Sequence, residues 1–188
     1  MKQKFNLVMK TMIGAAVLAL GLTGPAAVMA QPKVTGQIEW GAWIDDDGCM
    51  HWWADGGFEG YMVPRRDKKT GRAVCLKKNT CLVENTDTLF HTDSAQLTSY
   101  GRSRLQQFFQ STDAFGYGIY GHTDSRASNG YNQNLSERRA AAVGAVARSV
   151  GAAVERQQGY GETRPVASNN SAAGMQQNRR VETVCYRW

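Results

Sequence analysis

The pattern of hydrophobic and polar positions changes near residue 85. Before it, short segments rich in β-branched and aromatic residues are separated by turn sequences such as Asp-Asp-Asp-Gly at 45–48. This pattern predicts a small β module over residues 31–84, with strands at 38–44, 49–53, 60–64 and 73–76. The module has few aliphatic residues, so we expect it to need a disulfide or a neighbouring domain for stability.

From residue 87 onward, strand-like and helix-like segments alternate. Thr98 and Ser136 are placed as helix N-caps, and Gly151 as the stop of the second helix. The order βαβα-β(α)β predicts an α/β (α+β) two-layer sandwich with one mixed sheet over residues 85–188, preceded by the small disulfide-linked β module. The predicted strands are 88–92, 114–121, 154–160 and 181–186, and the predicted helices are 98–109, 136–150 and 171–178.

The first thirty residues have the pattern of an export signal. Three lysines accompany a short apolar run at 12–22, and Val-Met-Ala at 28–30 forms a small-residue cleavage site. The apolar run is too short to span a bilayer comfortably. We therefore predict a removed signal peptide at residues 1–30, and hence a periplasmic location.

Charge is distributed unevenly along the chain. The formal net charge of the whole chain is +6, and residues 101–188 contain 11 arginines, no lysine and 6 acidic residues. Guanidinium groups suit the recognition of carboxylates and phosphates because they bind either group bidentately. An exported protein meets anionic cell-wall polymer, so we expect no nucleic-acid partner.

The chain contains four cysteines, Cys49, Cys75, Cys81 and Cys185. An even number in an exported chain predicts disulfides, for which three pairings exist. We favour Cys49–Cys75 within the N-terminal module and Cys81–Cys185. The alternative is a metal site built from Cys49, His51, Cys75 and Cys81. It lacks paired CxxC spacing, and we expect neither a metal nor another cofactor.

Four of the five tryptophans lie between residues 40 and 53. Such a cluster could stack against sugar rings, but tryptophan also suits the half-buried strands of a small β core, and we favour packing. The acidic run at 45–47 lacks the further ligands of a calcium-binding loop, so we interpret it as a solvated turn.

Asp124 and Arg139 are the most informative pair of charges. A predicted strand ends just before Asp124, and the helix prediction places Arg139 in the first turn of its helix. We expect Arg139 to point back over the strand end and Arg138 to face solvent. An anion and a cation held at adjacent element ends can bind a zwitterion, a ligand with both an ammonium and a carboxylate group.

Several spaced motifs around this pair agree with one known family. They are Leu-Phe-His-Thr-Asp-Ser-Ala-Gln-Leu at 89–97, Gly-His-Thr-Asp at 121–124, Tyr-Asn-Gln-Asn-Leu-Ser-Glu-Arg-Arg-Ala at 131–140, Gly-Tyr-Gly-Glu-Thr-Arg-Pro at 159–165, and Asn-Arg-Arg-Val-Glu at 178–182. In this order and spacing, residues 85–188 resemble the OmpA-like peptidoglycan-binding domain family. The module before residue 85 lies outside the resemblance.

The resemblance implies a non-catalytic domain that binds peptidoglycan through the diaminopimelate group of the stem peptide. Asp124 and Arg139 would be the principal anchors, and the pocket would be lined by Asp93, Thr123, Asn132 and Arg179. It further implies association with the cell wall or outer membrane. The protein would then anchor the outer membrane or a periplasmic complex to the wall, with an outer-membrane protein as a further partner.

Two positions depart from the family pattern. Ala127 stands where the loop after Asp124 often has glycine. If that position needs a positive φ, alanine would cost about 1 kcal/mol there. Thr92 replaces the usual aromatic residue of the first strand, which weakens packing rather than ligand chemistry.

Two alternative functions compete with this interpretation. A peptidoglycan amidase or hydrolase would need a metal triad, a nucleophile with a base, or paired carboxylates. His51, His91 and His122 lie in three separate places, and we favour a structural role for His122 at a strand end over a catalytic one, so we predict no enzyme. The other alternative is a porin- or stator-associated subunit with the same wall-binding domain. No segment after residue 30 has the length and hydrophobicity of a membrane-spanning helix.

Overall fold

The computed structural model describes residues 38–56 and 60–188, and the predicted signal peptide lies outside them. The chain divides into two compact units. The first comprises the described residues of 38–43 and 50–73, and the second comprises 44–49 and 74–188. Within the described residues, no helix combines the length and the hydrophobicity needed to cross a membrane.

The first described residues form a three-stranded sheet. Its strands are β1 (Glu39–Ile44), β2 (Met50–Asp55) and β3 (Gly60–Pro64), in the order β1-β2-β3, and β2 pairs antiparallel with β3. These three strand predictions are confirmed. The fourth, at 73–76, is wrong. Ala73 and Cys75 form only isolated bridges with Arg66 and Cys49, so this segment has no continuous strand partner.

The tryptophans of the first unit pack against one another and against their neighbours. The rings of Trp40 and Trp52 meet edge to face with 6.1 Å between centroids. Trp53 lies over Gly41, where an added Cβ would come 2.7 Å from the indole nitrogen. These contacts agree with the favoured packing interpretation, although Trp52 keeps 40% of its surface exposed.

The acidic run at 45–47 forms a hydrogen-bonded turn. Oδ1 of Asp45 accepts hydrogen bonds from the backbone N–H groups of Asp47 (3.0 Å) and Cys49 (2.8 Å), and Gly48 completes the turn with φ of +90°. Among the described residues, no group of three or more histidine, cysteine or acidic side chains could hold a metal ion.

The second unit is a four-stranded mixed sheet with helices, as predicted. The sheet order is β4-β7-β5-β6, with β5 and β6 parallel and the other pairs antiparallel. The core contains Leu105 and Phe109 of α2, Val143 and Val146 of α3, and Ile119 of β5. The elements are β4 (Lys77–Asn85), α1 (Thr86–Leu89), α2 (Ser99–Ser111), β5 (Gly116–Gly121), α3 (Asn129–Ser149), β6 (Val154–Gly159), α4 (Ala172–Asn178) and β7 (Arg180–Arg187).

Both favoured disulfides are present. Cys49 is bonded to Cys75, and Cys81 is bonded to Cys185. The second bond joins the neighbouring strands β4 and β7, and Cys185 is completely buried in the core. Because no cysteine is left free, the alternative metal site is ruled out.

The predicted strand at 88–92 is wrong. Residues 86–89 form α1 instead, capped by Asn85, whose side chain accepts a hydrogen bond from the backbone of Asp87 (2.8 Å). The strand itself lies earlier, as β4. β4 is an edge strand, and its first half is exposed and basic. Such a sequence lacks the hydrophobic alternation by which a strand is recognised.

The predicted start of the long helix at Ser136 is also wrong. Ser128 is the N-cap of α3, and Ser136 lies inside the helix and is completely buried. Its hydroxyl donates to the carbonyl of Gln133 (2.8 Å) and accepts from the backbone N–H of Gly161 (2.9 Å). Arg139 is therefore in the third turn rather than the first, and the positive end of the helix dipole does not act on it.

Loss of the Cys81–Cys185 disulfide should destabilise the protein strongly. This bond closes a separation of 104 residues, so replacing both cysteines by alanine should lower the free energy of unfolding by about 2–4 kcal/mol. Urea denaturation followed by circular dichroism measures the change. The matched control replaces Cys49 and Cys75, whose separation is only 26 residues. A smaller loss for the 81/185 pair than for the 49/75 pair would contradict the prediction.

Candidate functional site

The end of β5 is held tightly against α3. An added Cβ at Gly121 would come 2.2 Å from the carbonyl oxygen of Ser136, so only glycine permits this approach. Immediately afterwards, the backbone N–H of Thr123 donates to the carbonyl of Gly161 (2.9 Å). These contacts position the loop that carries Asp124.

Asp124 is an almost completely buried carboxylate with two arginine partners. Its Oδ2 accepts hydrogen bonds from Nη1 of Arg179 (2.7 Å) and Nε of Arg126 (2.9 Å). Its Oδ1 accepts only the backbone N–H of Arg126 (3.2 Å) among the described residues. Burial alone would raise the pKa of Asp124, but the hydrogen bonds from both arginines outweigh it and lower the pKa. Asp124 is therefore ionised at neutral pH.

Arg179 joins Asp124 to a second carboxylate that sequence analysis missed. Its Nη2 lies 2.6 Å from Oδ2 of Asp87, and its Nε lies 2.9 Å from Oδ1 of the same residue. The hydrogen bonds to Asp87, with those to Asp124, raise the pKa of Arg179 above its ordinary value. The chain Asp87–Arg179–Asp124 thus ties α1, the end of α4 and the loop after β5 together.

Arg139 is a buried cation on α3. Its Nε donates to the carbonyl of Ser94 (2.9 Å), its Nη1 donates to the hydroxyl of Thr86 (3.3 Å), and its guanidinium lies 5.3 Å from the centre of the Phe90 ring. Burial lowers its pKa, and the nearby carboxylates Asp87 and Asp93 oppose that effect. An arginine remains charged at neutral pH. Its Nη2 has no hydrogen-bond partner in the described part of the chain.

Asp93 lies at the mouth of the site in an unusual backbone conformation. Its φ is +53°, in the left-handed region that aspartate tolerates better than most residues. One carboxylate oxygen accepts a hydrogen bond from the hydroxyl of Tyr131 (2.7 Å) on α3. This contact links the loop after α1 to the first turn of α3.

Asn132 and Thr123 are the remaining predicted residues. The side-chain amide of Asn132 donates to the carbonyls of Asp124 (3.0 Å) and Ala127 (3.2 Å) and to the carboxylate of Glu162. Asn132 therefore braces the loop that carries Asp124. The hydroxyl of Thr123 is buried and has no hydrogen-bond partner among the described residues.

All six residues named from the sequence line one cavity of about 610 Å³. Among the described residues, the cavity wall contains three carboxylates and three guanidinium groups, so these charges balance. The lining residues that were not predicted include Thr86, Asp87, Phe90, Arg126 and Tyr131. The pairing of Asp87 with Arg179 spans 92 residues, and no local pattern indicates it.

Ala127 does not need the conformation that favours glycine. Asp93 is the one described residue with a side chain that has a positive φ. Alanine in the loop after Asp124 therefore introduces no backbone strain of that kind.

Comparison with known proteins supports the resemblance. The OmpA family model matches residues 89–179. The peptidoglycan-associated lipoprotein of Pseudomonas putida is 36% identical over 111 residues, covering 57% of this chain and 67% of that protein.

The chain belongs to the OmpA family.

Outer membrane protein A of Bordetella avium is another relative, 37% identical over 131 residues. The match covers 67% of this OmpA-family chain and 66% of that protein. The solved structure of the cell wall anchor of the T6SS from Pseudomonas aeruginosa is 30% identical, with a TM-score of 0.49, over 56% of this chain and 80% of that chain.

His122, the candidate catalytic histidine, lines a different cavity from Asp124. Its ring is almost completely buried, and its Nε2 lies 3.9 Å from Oε1 of Glu182. Burial, assisted by the positive charge of Arg180, lowers the pKa of His122 to about 4 against the opposing effect of Glu182. The imidazole is therefore neutral at neutral pH.

The neutral state of His122 makes stability depend on pH. In the unfolded chain a histidine has a pKa near 6.5, whereas the pKa of folded His122 is about 4. The contribution to stability is complete above about pH 6.5 and is lost as the pH falls towards 4, because the unfolded state then binds more protons. Urea denaturation at several pH values should show a smaller decline for His122→Gln than for the wild type. The control His91→Gln alters an exposed residue and should follow the wild type. Equal declines in all three proteins would contradict the prediction.

Proposed function

We propose that this protein binds peptidoglycan without catalysis, through the diaminopimelate group of the stem peptide. The observation that carries the proposal is the ionised carboxylate of Asp124 and the buried guanidinium of Arg139 in the wall of one charge-balanced cavity. A free amino-acid end of diaminopimelate carries one ammonium and one carboxylate. Such a zwitterion enters a cavity of balanced charge without leaving a net charge unpaired.

The ammonium group binds Asp124. Arg126 and Arg179 already donate to Oδ2, whereas Oδ1 accepts only the 3.2 Å hydrogen bond from the backbone of Arg126 within the described part of the chain. Oδ1 therefore accepts the hydrogen bond from the ammonium group of the ligand. A charge-assisted hydrogen bond of this kind contributes about 1.5–3 kcal/mol.

The carboxylate group binds Arg139. Ser94 and Thr86 hold its Nε and Nη1, so the guanidinium is fixed before the ligand arrives. The remaining Nη2 is the donor for the ligand, and the buried Thr123 hydroxyl offers a further polar group in the same wall. Side chains that are already fixed lose little conformational entropy on binding.

The surroundings hold both anchors in position. Arg179 fixes the Asp124 carboxylate from one side, and Asn132 fixes the backbone of the loop from the other. A rigid site with two ionic contacts binds its ligand with modest affinity. That affinity falls as added salt screens the charges. The cell-wall polymer carries many copies of this ligand, so a site of modest affinity is sufficient.

We propose a periplasmic location with attachment to the cell wall. The name of the Pseudomonas putida relative associates that protein with peptidoglycan, which supports the same ligand here. The protein would then anchor the outer membrane, or a periplasmic complex with an outer-membrane protein partner, to the wall.

Neutralising either anchor should abolish retention on the wall. In Asp124→Asn and Arg139→Gln, the loss of one ionic contact should weaken binding of diaminopimelate by about 10- to 100-fold. Cosedimentation of the purified protein with isolated sacculi and calorimetry with diaminopimelate measure the effect. Wild type should release no soluble fragments from the sacculi.

The matched controls carry the same changes at exposed positions. Arg138→Gln alters the neighbour of Arg139 on the solvent side of α3, and Asp113→Asn alters an exposed acid elsewhere. Both should bind as the wild type does, and circular dichroism should show that all four variants are folded. If Asp124→Asn and Arg139→Gln pellet with sacculi as fully as their controls, the proposed site is wrong.

Modified ligands should separate the two contacts. Acetylating the ligand's amine removes the partner of Asp124, so Asp124→Asn should no longer weaken binding of that ligand while Arg139→Gln still should. Amidating the ligand's carboxylate should produce the reverse pattern. Calorimetry of the two ligands with the two variants forms a double-mutant cycle, and additive losses in every combination would argue against these pairings.

A further inference from the structure

A second cavity of about 670 Å³ lies on the opposite face of the four-stranded sheet. Successive side chains of a strand point to opposite faces. Ile119 and Val181 belong to the core, and their neighbours Tyr120 and Glu182 line this cavity instead. The cavity therefore does not share a wall with the site of Asp124 and Arg139.

The charges of this cavity do not balance. Counted over the residues that the structure describes, its wall contains four cationic side chains and two carboxylates, which leaves a surplus of two positive charges. This contrasts with the balanced wall of the first cavity and favours a negatively charged occupant. The charged residues are Lys78, Arg156, Arg164, Arg180, Asp46 and Glu182.

Two of the cations have carboxylate partners. Nε of Arg180 lies 2.7 Å from Oε1 of Glu182, and Arg156 is paired with Asp46. Arg164 differs. Its guanidinium packs 3.6 Å from the centre of the Tyr160 ring and has no ion-pair partner among the described residues. Arg164 is exposed, so its charge is available to a ligand.

His122 supplies the second polar group. Only 3% of its surface is exposed, and neither ring nitrogen has a hydrogen-bond partner in the described part of the chain. Its ring lies 5.5 Å from that of Tyr160, the residue on which Arg164 packs. Buried polar groups are nearly always hydrogen-bonded, so an unpartnered imidazole in a cavity wall indicates a missing partner.

We propose that this face of the sheet is a second binding site, for a compact oxyanion: a carboxylate or phosphate group on a polar ligand. The guanidinium of Arg164 pairs with the anion, and the unpartnered imidazole of His122 donates one N–H to it. Lys78 contributes its charge from the β4 side of the cavity. This site is independent of diaminopimelate binding.

NMR titration of the purified protein tests the site. The probes are N-acetylmuramic acid, which carries a carboxylate, glycerol 3-phosphate, which carries a phosphate, and neutral N-acetylglucosamine. We expect saturable shifts of the Gly121, Tyr160 and Glu182 amide signals with one or both anions and none with the neutral sugar. The first anion would indicate wall glycan as the source, and the second a lipid headgroup. Equal shifts with the neutral sugar, or none with either anion, would overturn the proposal.

Variants identify the residues. Arg164→Gln should weaken anion binding at least about tenfold, as expected for the loss of one charge-assisted contact, and His122→Phe should weaken it as well. Arg102→Gln, an exposed arginine on α2, is the matched control and should leave it unchanged. Asp124→Asn should also leave anion binding unchanged. The failure of this proposal can therefore be distinguished from a failure of the proposed diaminopimelate site. Anion affinity unaltered by Arg164→Gln, or lost in Asp124→Asn, would reject this site.

Discussion

The close approach of α3 to the ends of β5 and β6 determines where the side chains of the site lie. An added Cβ at Gly159 would come 2.3 Å from the hydroxyl of Ser136, much as at Gly121. The helix can therefore touch the strand ends directly, and Ser136 fixes the contact through its hydrogen bond to Gly161 (2.9 Å). Asn132 and Arg139 lie one turn before and one turn after Ser136, so this single contact directs both of them into the cavity.

Electrostatic pairing then determines the ionisation of Asp124 and Arg139, the two proposed anchors. Asp124 is buried, which by itself would favour its neutral form, yet two arginines keep it ionised. Arg179 is in turn held by Asp87, so the cation that stabilises Asp124 cannot readily move towards a ligand. The cavity thus presents a charged acceptor and the charged donor Arg139 without rearrangement, and fixed charges in a partly desolvated site act more strongly than charges in water.

The two faces of the sheet have different electrostatic characters because a strand alternates its side chains between them. β7 contributes Val181 and Cys185 to the core, and Glu182 and Tyr186 to the opposite face. The helix-covered face therefore forms the hydrophobic layer beside which the proposed zwitterion site lies. The other face keeps its polar residues and a surplus of positive charge. One sheet thus borders two cavities whose walls differ in net charge.

Local patterns in the sequence were enough to predict alternating strands and helices, the cap at Thr98, the helix stop at Gly151, and the opposite charges of Asp124 and Arg139 as candidate site residues. Each of these depends on a residue and its near neighbours. The start of α3 at Ser128, the early strand β4 and the ion pairs of Arg179 were not predictable in this way. They depend on contacts between residues that are distant in sequence, such as Asp87 with Arg179 across 92 positions. Serine is a favoured N-cap residue, so residue type alone did not show that Ser128 begins α3 while Ser136 is buried inside the helix against the strand ends.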